Sequence, residues 1–303
     1  MPLLHVEKHG QVLDKEVRDV LSLLEECYDR LRPKGLDLVE IALFENDALW
    51  RSHTAAEQRK AGVASGRFDD AFIAAHDAWT GIPRISISLD RRRALDRLVW
   101  EGALRHEAGH SVLHGGLEYY VFPTPKALLN VAVRFPALTS HLTDILYLLT
   151  LAVKDLEVTK LLVSNGYSED QAAYARFVMK PTEQDQNAWH LSSIAAEARV
   201  LCLIGRLKDI AAAMILAATP QPLMVTAKEI EESIAYFPPE PRRILLDTMT
   251  SIMNDLGKDT FGNVQSAAAA AAERLVEPIM GAHGTKQSLS HSTYRTRGLE
   301  PKS

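Results

Sequence analysis

Cysteine is nearly absent. Only Cys27 and Cys202 occur in 303 residues, both in apolar, helical contexts, so a disulfide framework is excluded and both read as reduced core thiols. Long hydrophobic runs are missing too. The greasiest stretches, 145–153 and 209–218, fall well short of the ~20 residues that cross a bilayer. The opening MPLLHVEKHG has neither the charged start nor the apolar stretch of a secretory signal. There is no basic excess: 34 Lys and Arg stand against 39 Asp and Glu, a net charge of −5. Nothing therefore draws the chain as a whole to nucleic acid or to an anionic membrane. G-x-S-x-G is absent, and LGKDT at Leu256 lacks the upstream glycine of a phosphate loop. These absences lead us to expect a globular, cytoplasmic protein.

With 47% hydrophobic and 24% charged residues, the chain can build a sizeable core. Val17, Val20, Leu21, Leu24 and Tyr28 recur at helical spacing between Leu13 and Leu31, and RPKG stops that helix. LDLVEIALF (36–44) alternates as a strand does, and two more short strands are expected near 71–78 and 83–89. Asp90 is expected to cap a helix that begins at Arg91 and runs to Gly115 and Gly116. A long helix is expected over about 140–163, and the rest reads as helical, with capping-box spacings at Ser168/Gln171 and Thr226/Glu229. The arginines of DRRRALDR spread around the first helix turns and read as solvated surface. The expected architecture is α+β and mostly helical, a small twisted sheet packed on one helix and followed by a helical region. Its divisions are 1–165, a helical region at 166–280, and a polar, aperiodic, disordered tail at 281–303.

The chemistry concentrates in LRHEAGHSVLHGG, residues 104–116. At about 100° per residue, His106 and His110 lie one turn apart on one helix face. Two imidazoles so placed can hold one zinc ion, with Glu107 beside the metal to take a proton from water. Leu95, Val99, Gly102, Ala103 and Leu113 fall on or near that face, whereas two unrelated surface histidines would sit on a polar one.

Catalytic zinc takes three protein ligands and a water. His114 stands eight residues from His106, a rise of ~12 Å, so it cannot share the ion and reads as finishing the helix. The long helix offers two acids in LAVKDLEVTKLL. Asp155 shares its face with Leu148, Leu151, Ala152, Thr159 and Leu162, while Glu157 lies on the more mixed face of Thr150, Val153, Lys154 and Leu161. A carboxylate on an apolar face is costly unless paired or metal-bound. Asp155 is the preferred third ligand, Glu157 the alternative, and a buried acid paired with a base the blander reading. His141 and Asp144 share the stripe of Asp155 but lie at the helix start, too distant along the axis for the same ion.

HEAGH with an acid on a downstream helix resembles the zincin metallopeptidases, in particular the gluzincin and aspzincin branches whose third ligand is acidic. The resemblance covers residues 83–163 and is absent beyond about 165. It implies a motif helix under a small twisted sheet and peptide hydrolysis with Zn2+ as cofactor. His106, His110 and Asp155 then match the ligands and Glu107 the general base. It further implies a peptide or protein substrate and an oxyanion donor, for which Tyr119, Tyr120 and His190 are candidates. One departure stands out: the acid four residues after the gluzincin ligand, which supports a zinc histidine, has no counterpart, since Thr159 and Leu161 occupy those steps. The alternative function is a zinc-binding scaffold or regulator without peptidase activity.

Overall fold

The computed structural model describes residues 1–61, 73–219 and 225–282. The beginning of the strand expected at 71–78 and all but the first two residues of the expected tail lie outside that set; Gly281 and Ala282 are helical. The architecture is α+β and mostly helical, as the periodicity predicts. In chain order the elements are β1 (Leu3–His9), α1 (Asp14–Leu31), β2 (Leu38–Phe44), α2 (Asp47–Ala61), β3 (Ala74–Asp77), β4 (Arg84–Ser88), α3 (Leu89–Arg92) and α4 (Arg97–His114). Then follow α5 (Lys126–Arg134), α6 (Leu142–Ser164), α7 (Ser168–Val178), α8 (Glu183–Leu191), α9 (Ala196–Ala217), α10 (Ala227–Ser233), α11 (Pro239–Asn254) and α12 (Thr260–Ala271).

The chain forms two compact units. One comprises the described parts of Met1–Pro123, Lys154–Lys180 and Asp209–Glu232, the other those of Thr124–Val153, Pro181–Lys208 and Ser233–Ser303. Neither is a continuous stretch, because α6 changes unit at Lys154 and α9 at Asp209. The division expected at 165 falls within a segment of the first unit.

In the first unit the sheet order is β1-β2-β4-β3; β1, β2 and β4 run parallel and β3 lies antiparallel on the edge of β4. Side chains on a strand alternate between faces, and two hydrophobic clusters follow that alternation. Val39, Ile41 and Leu43 of β2, Ile85 and Ile87 of β4 and Ala74 of β3 join Leu24 and Tyr28 of α1 and Ala103, Leu104 and Ala108 of α4 in the main core. Ala42, Phe44 and Trp50 cluster on the α2 side, with Ala75 against them. Both faces of β4 are covered: all five residues of RISIS are buried, polar Arg84, Ser86 and Ser88 included. Leu3–His9, to which the periodicity analysis assigns no element, is the parallel edge strand β1, and only its Leu4 and Val6 pack against the main core.

Asp90 does not cap the motif helix. The four-residue α3 ends at Arg92, and α4 begins at Arg97 with Asp96 as its cap, the Asp96 carboxylate accepting from the Leu98 N–H at 2.8 Å. Asp90 instead accepts from the Ser88 hydroxyl at 2.6 Å and the Asp47 N–H at 3.4 Å. Arg91 and Arg92 are ion-paired, with Asp47 and Asp19 respectively. Thr226 and Glu229 form the capping box expected of them. Gln171 reaches across from α7 and donates its amide to the Gly102 carbonyl at 2.9 Å. Gly102 permits that approach, since a methyl group there would collide with the Asp170 carbonyl.

The second unit is helical. Leu128 and Val131 of α5, Ile145 and Leu149 of α6, Val200 and Leu203 of α9, Leu245 and Met249 of α11 and Val264 of α12 are buried. The alanine run of α12 continues into a π-turn over Ala272–Val276.

Candidate metal centre

α4 presents His106 and His110 from successive turns, and the unit-one part of α6 presents Asp155. Their ligand atoms converge. His106 Nε2 lies 3.2 Å from His110 Nε2 and 3.4 Å from Asp155 Oδ1, and His110 Nε2 lies 3.2 Å from that same oxygen. A tetrahedral ion with bonds of ~2.0 Å sets its ligands about 3.3 Å apart, so this triangle has the edges such an ion requires. Asp155, His106 and His110 form the one group among the described residues whose ligand atoms cluster closely enough to hold a metal. Gly109 makes the approach of the two helices possible: a methyl group there would stand 2.7 Å from Val158 Cγ1.

The electrostatics suit a cation. Burial disfavours a charged His106, yet its hydrogen bond to Asp155 and the carboxylates of Asp155 and Glu107 raise its pKa above the ordinary value. Burial pushes His110 down to about 3 despite Asp155, with His106 and His114 adding repulsion. Asp155 is raised by burial and lowered more by its hydrogen bonds to both imidazoles, which hold it well below the carboxylate range. Two imidazole nitrogens and a carboxylate oxygen thus meet closely enough to compete for the same protons, the arrangement a divalent ion would relieve.

Glu107 is buried, and burial raises its pKa to about 7 against the attraction of His106 and a hydrogen bond from the His76 backbone N–H. A carboxylate poised near neutrality can both take and return a proton. The His76 side chain lies on the α4 face of the edge strand β3 and stacks against His110, ring centroids 6.0 Å apart and planes within 10°. The strand expected at 71–78 carries no role for His76 in the sequence; its alternation with Ala74 toward the core is the available signal.

A layer of polar groups surrounds the triad. His114 is completely buried. Its Nδ1 stands 3.2 Å from His110 Nδ1 and its Nε2 2.8 Å from Glu157 Oε2. Glu157, the alternative third ligand, is thereby engaged by His114, while Asp155 meets both histidines. Lys154 is buried, its amine donating to the Tyr119 carbonyl at 3.0 Å and lying 4.4 Å from the Tyr120 ring centroid. Burial lowers its pKa to about 8 against the pull of Asp155, Glu157 and Glu107. The candidate oxyanion donors divide. Tyr119 sets its ring edge against His114 at 5.3 Å, and Tyr120 pairs its hydroxyl with His76 Nδ1 at 2.9 Å. His190 belongs to α8 in the other unit.

Compared with protein-family models, with curated proteins and with solved structures, the chain gives no match.

Proposed function

We propose that this chain is a zinc-dependent metallopeptidase. The supporting observation is the triangle of His106, His110 and Asp155 ligand atoms, with edges of 3.2 to 3.4 Å. Two imidazole nitrogens and a carboxylate oxygen form the donor set of a catalytic zinc with an open position. A zinc ion, when bound there, supplies the positive charge that acidifies water and polarises a carbonyl. Glu107 does the proton work: its buried carboxylate accepts a proton from the attacking water and passes it to the leaving amine. The His76 N–H holds that carboxylate in place. Lys154 adds a cation whose field reaches Glu107 and Asp155. Cys27 and Cys202 are both free thiols, which suits a reducing compartment and makes a cytoplasmic location part of the proposal. Among the described residues no helix is long and apolar enough to cross a membrane.

The test pairs metal analysis of protein purified without a histidine tag with turnover of a peptide library, with and without chelator. One zinc per chain and chelator-sensitive cleavage are expected. Glu107→Gln keeps the zinc and loses turnover; full activity in that variant overturns the assignment of the base.

A specific observation favours the second reading, a zinc-binding module without turnover. β3 is the edge strand on which an extended peptide would pair. At His76 its N–H already serves Glu107, and its C=O accepts from the Tyr120 hydroxyl at 3.4 Å. Stoichiometric zinc without cleavage of any peptide would establish that alternative.

A further inference from the structure

His114 ends α4 and cannot reach the ion, yet both of its ring nitrogens are committed. A neutral imidazole carries one N–H donor and one lone-pair acceptor, and an ionised carboxylate accepts only. Glu157 Oε2, 2.8 Å from His114 Nε2, therefore requires the proton of His114 on Nε2. His114 Nδ1 is then a lone pair, and across its 3.2 Å contact with His110 Nδ1 it can only accept. Read from this end, the proton of His110 lies on Nδ1, which leaves His110 Nε2 as the lone pair facing Asp155 Oδ1 and His106 Nε2. Asp155 Oδ1 is also an acceptor and competes for that proton in the metal-free protein; a cation held by His110 Nε2 and Asp155 Oδ1 would remove the competition, and the order then runs from Glu157.

We propose that Glu157 and His114 are positioning residues for His110, a carboxylate–imidazole relay that fixes the His110 tautomer so that Nε2 is presented to the cation. The proposal rests on the zinc reading, because a cation on His110 Nε2 and Asp155 Oδ1 is what would leave Glu157 the only carboxylate to set the proton order. The relay also answers the missing gluzincin support. Neither Thr159 nor Leu161 can serve, and the supporting acid comes from two residues after Asp155, acting through an interposed histidine from the motif helix itself. Complete burial of His114 means that water does not substitute for either contact, so each lost partner leaves a buried polar group unsatisfied.

Two replacements of His114 separate its two contacts. Asparagine carries an oxygen where the imidazole has Nδ1 and keeps the acceptor for His110, but it does not reach Glu157. Glutamine reaches the Nε2 position and keeps the donor to Glu157, but it offers His110 no acceptor. Zinc dissociation constants measured by chelator competition should rise 10–100-fold in His114→Gln and His114→Ala, the usual effect of losing such outer contacts, and about 3-fold in His114→Asn. Glu157→Gln should weaken zinc less than His114→Ala does, and the double variant no more than His114→Ala alone, because the acid acts only through the histidine. Melting of the metal-free variants provides the control. Equal zinc affinity in His114→Ala and wild type, with only the metal-free melting temperature lowered, would reduce the pair to packing and overturn the proposal; so would equal losses in the Asn and Gln variants. Imidazole nitrogen NMR on the wild-type protein with zinc added requires no variant to fold. It should show His110 protonated on Nδ1 and His114 on Nε2, and zinc bound with the His114 proton on Nδ1 overturns the relay while leaving the zinc reading in place. A wild-type chain that binds no zinc overturns the metallopeptidase reading and the relay with it.

Discussion

Two pairs of histidines lie on opposite faces of the same sheet, and their rings are almost equally close. On the α2 side, His9 and His53 have centroids 4.4 Å apart; on the α4 side, His106 and His110 have centroids 4.8 Å apart. Acids accompany both pairs. His9 Nε2 is 3.6 Å from Glu7 and His53 Nε2 is 3.4 Å from Glu57, so each histidine has its own carboxylate. Glu57 is further claimed by the Arg84 guanidinium at 2.7 Å. The ring of His9 is stacked flat on Phe44, with centroids 4.4 Å apart and planes within 10°. On the α4 side a single oxygen, Asp155 Oδ1, lies within 3.4 Å of both imidazoles, and among the described ion pairs those two histidines are its partners. Closeness of imidazoles alone does not gather three ligand atoms: on the α4 side one acidic oxygen is shared by both rings, whereas on the α2 side the carboxylates are divided and Arg84 pairs with one of them.

The sharpest way to break that contrast is to remove the shared oxygen. Asp155→Asn should weaken zinc by more than the ~100-fold that outer contacts typically contribute, measured by chelator competition. His9→Ala combined with His53→Ala should leave the zinc dissociation constant unchanged. Loss of zinc from the α2-side variant, or its retention at wild-type affinity by Asp155→Asn, would dissolve the distinction between the two faces.

The two faces also differ in how they respond to pH. Glu107 has a folded pKa of about 7 against 4.5 for the free side chain. In the metal-free protein the folded state therefore binds more protons than the unfolded state between those values. The sign follows: the stability Glu107 contributes is greatest below pH 4.5 and is lost as pH rises toward 7. Relative to Glu107→Gln, wild-type protein in chelator should lose stability across that window with a slope approaching ~1.4 kcal/mol per pH unit, about 3 kcal/mol in total. Denaturant titrations at pH 4.5 and 7 measure it, and a difference that stays flat across the window would show that Glu107 is ionised in the folded protein throughout. His9 carries the opposite sign. Burial and the neighbouring His53 lower its pKa below 6.5, so its contribution is present above the unfolded value and lost as pH falls. Replacing His9 by Gln should lessen the acid sensitivity of the α2 face.

Much of this was legible in the sequence because helix geometry is rigid. One turn between His106 and His110 fixes their common face, and the apolar neighbours of Asp155 on its own helix distinguish it from Glu157. Both inferences use spacing within one element, where 100° per residue suffices. The pairing of Glu157 with His114 was not legible for the complementary reason. It depends on the register between α4 and α6, which is set by Gly109 and Val158 packing, and no periodicity within either helix reports register. The start of α4 differs from the expected one because Asp90 and Asp96, six residues apart, are both good capping residues. The sequence does not say that Leu89–Arg92 closes as a separate turn with Asp90 tied to Ser88. β1 escapes the periodicity because only Leu4 and Val6 alternate with polar His5 and Glu7, while Leu3 on the polar face and Lys8 on the core face break the pattern at both ends.

The smallest effect concerns the caps of the two helices that flank the sheet. α2 starts with Asn46, whose side-chain oxygen accepts from the Leu49 N–H at 3.1 Å, and α4 starts with Asp96, which accepts from Leu98 at 2.8 Å. Each satisfies an N–H that the helix itself leaves unpaired, so Asn46→Ala and Asp96→Ala should each cost ~1 kcal/mol in denaturant unfolding. Neither should shift zinc affinity, because Asp96 lies ten residues before His106, about 15 Å along the helix, and Asn46 lies on the other face. If Asp96→Ala weakened zinc while Asn46→Ala did not, fraying would have to propagate three turns along α4. The motif helix would then be a marginal element held by its ends. Its anchoring to α7 through Gln171 and Gly102, and through the partly buried Arg105–Asp170 ion pair, argues that it is held along its length, which is why the two caps should behave alike.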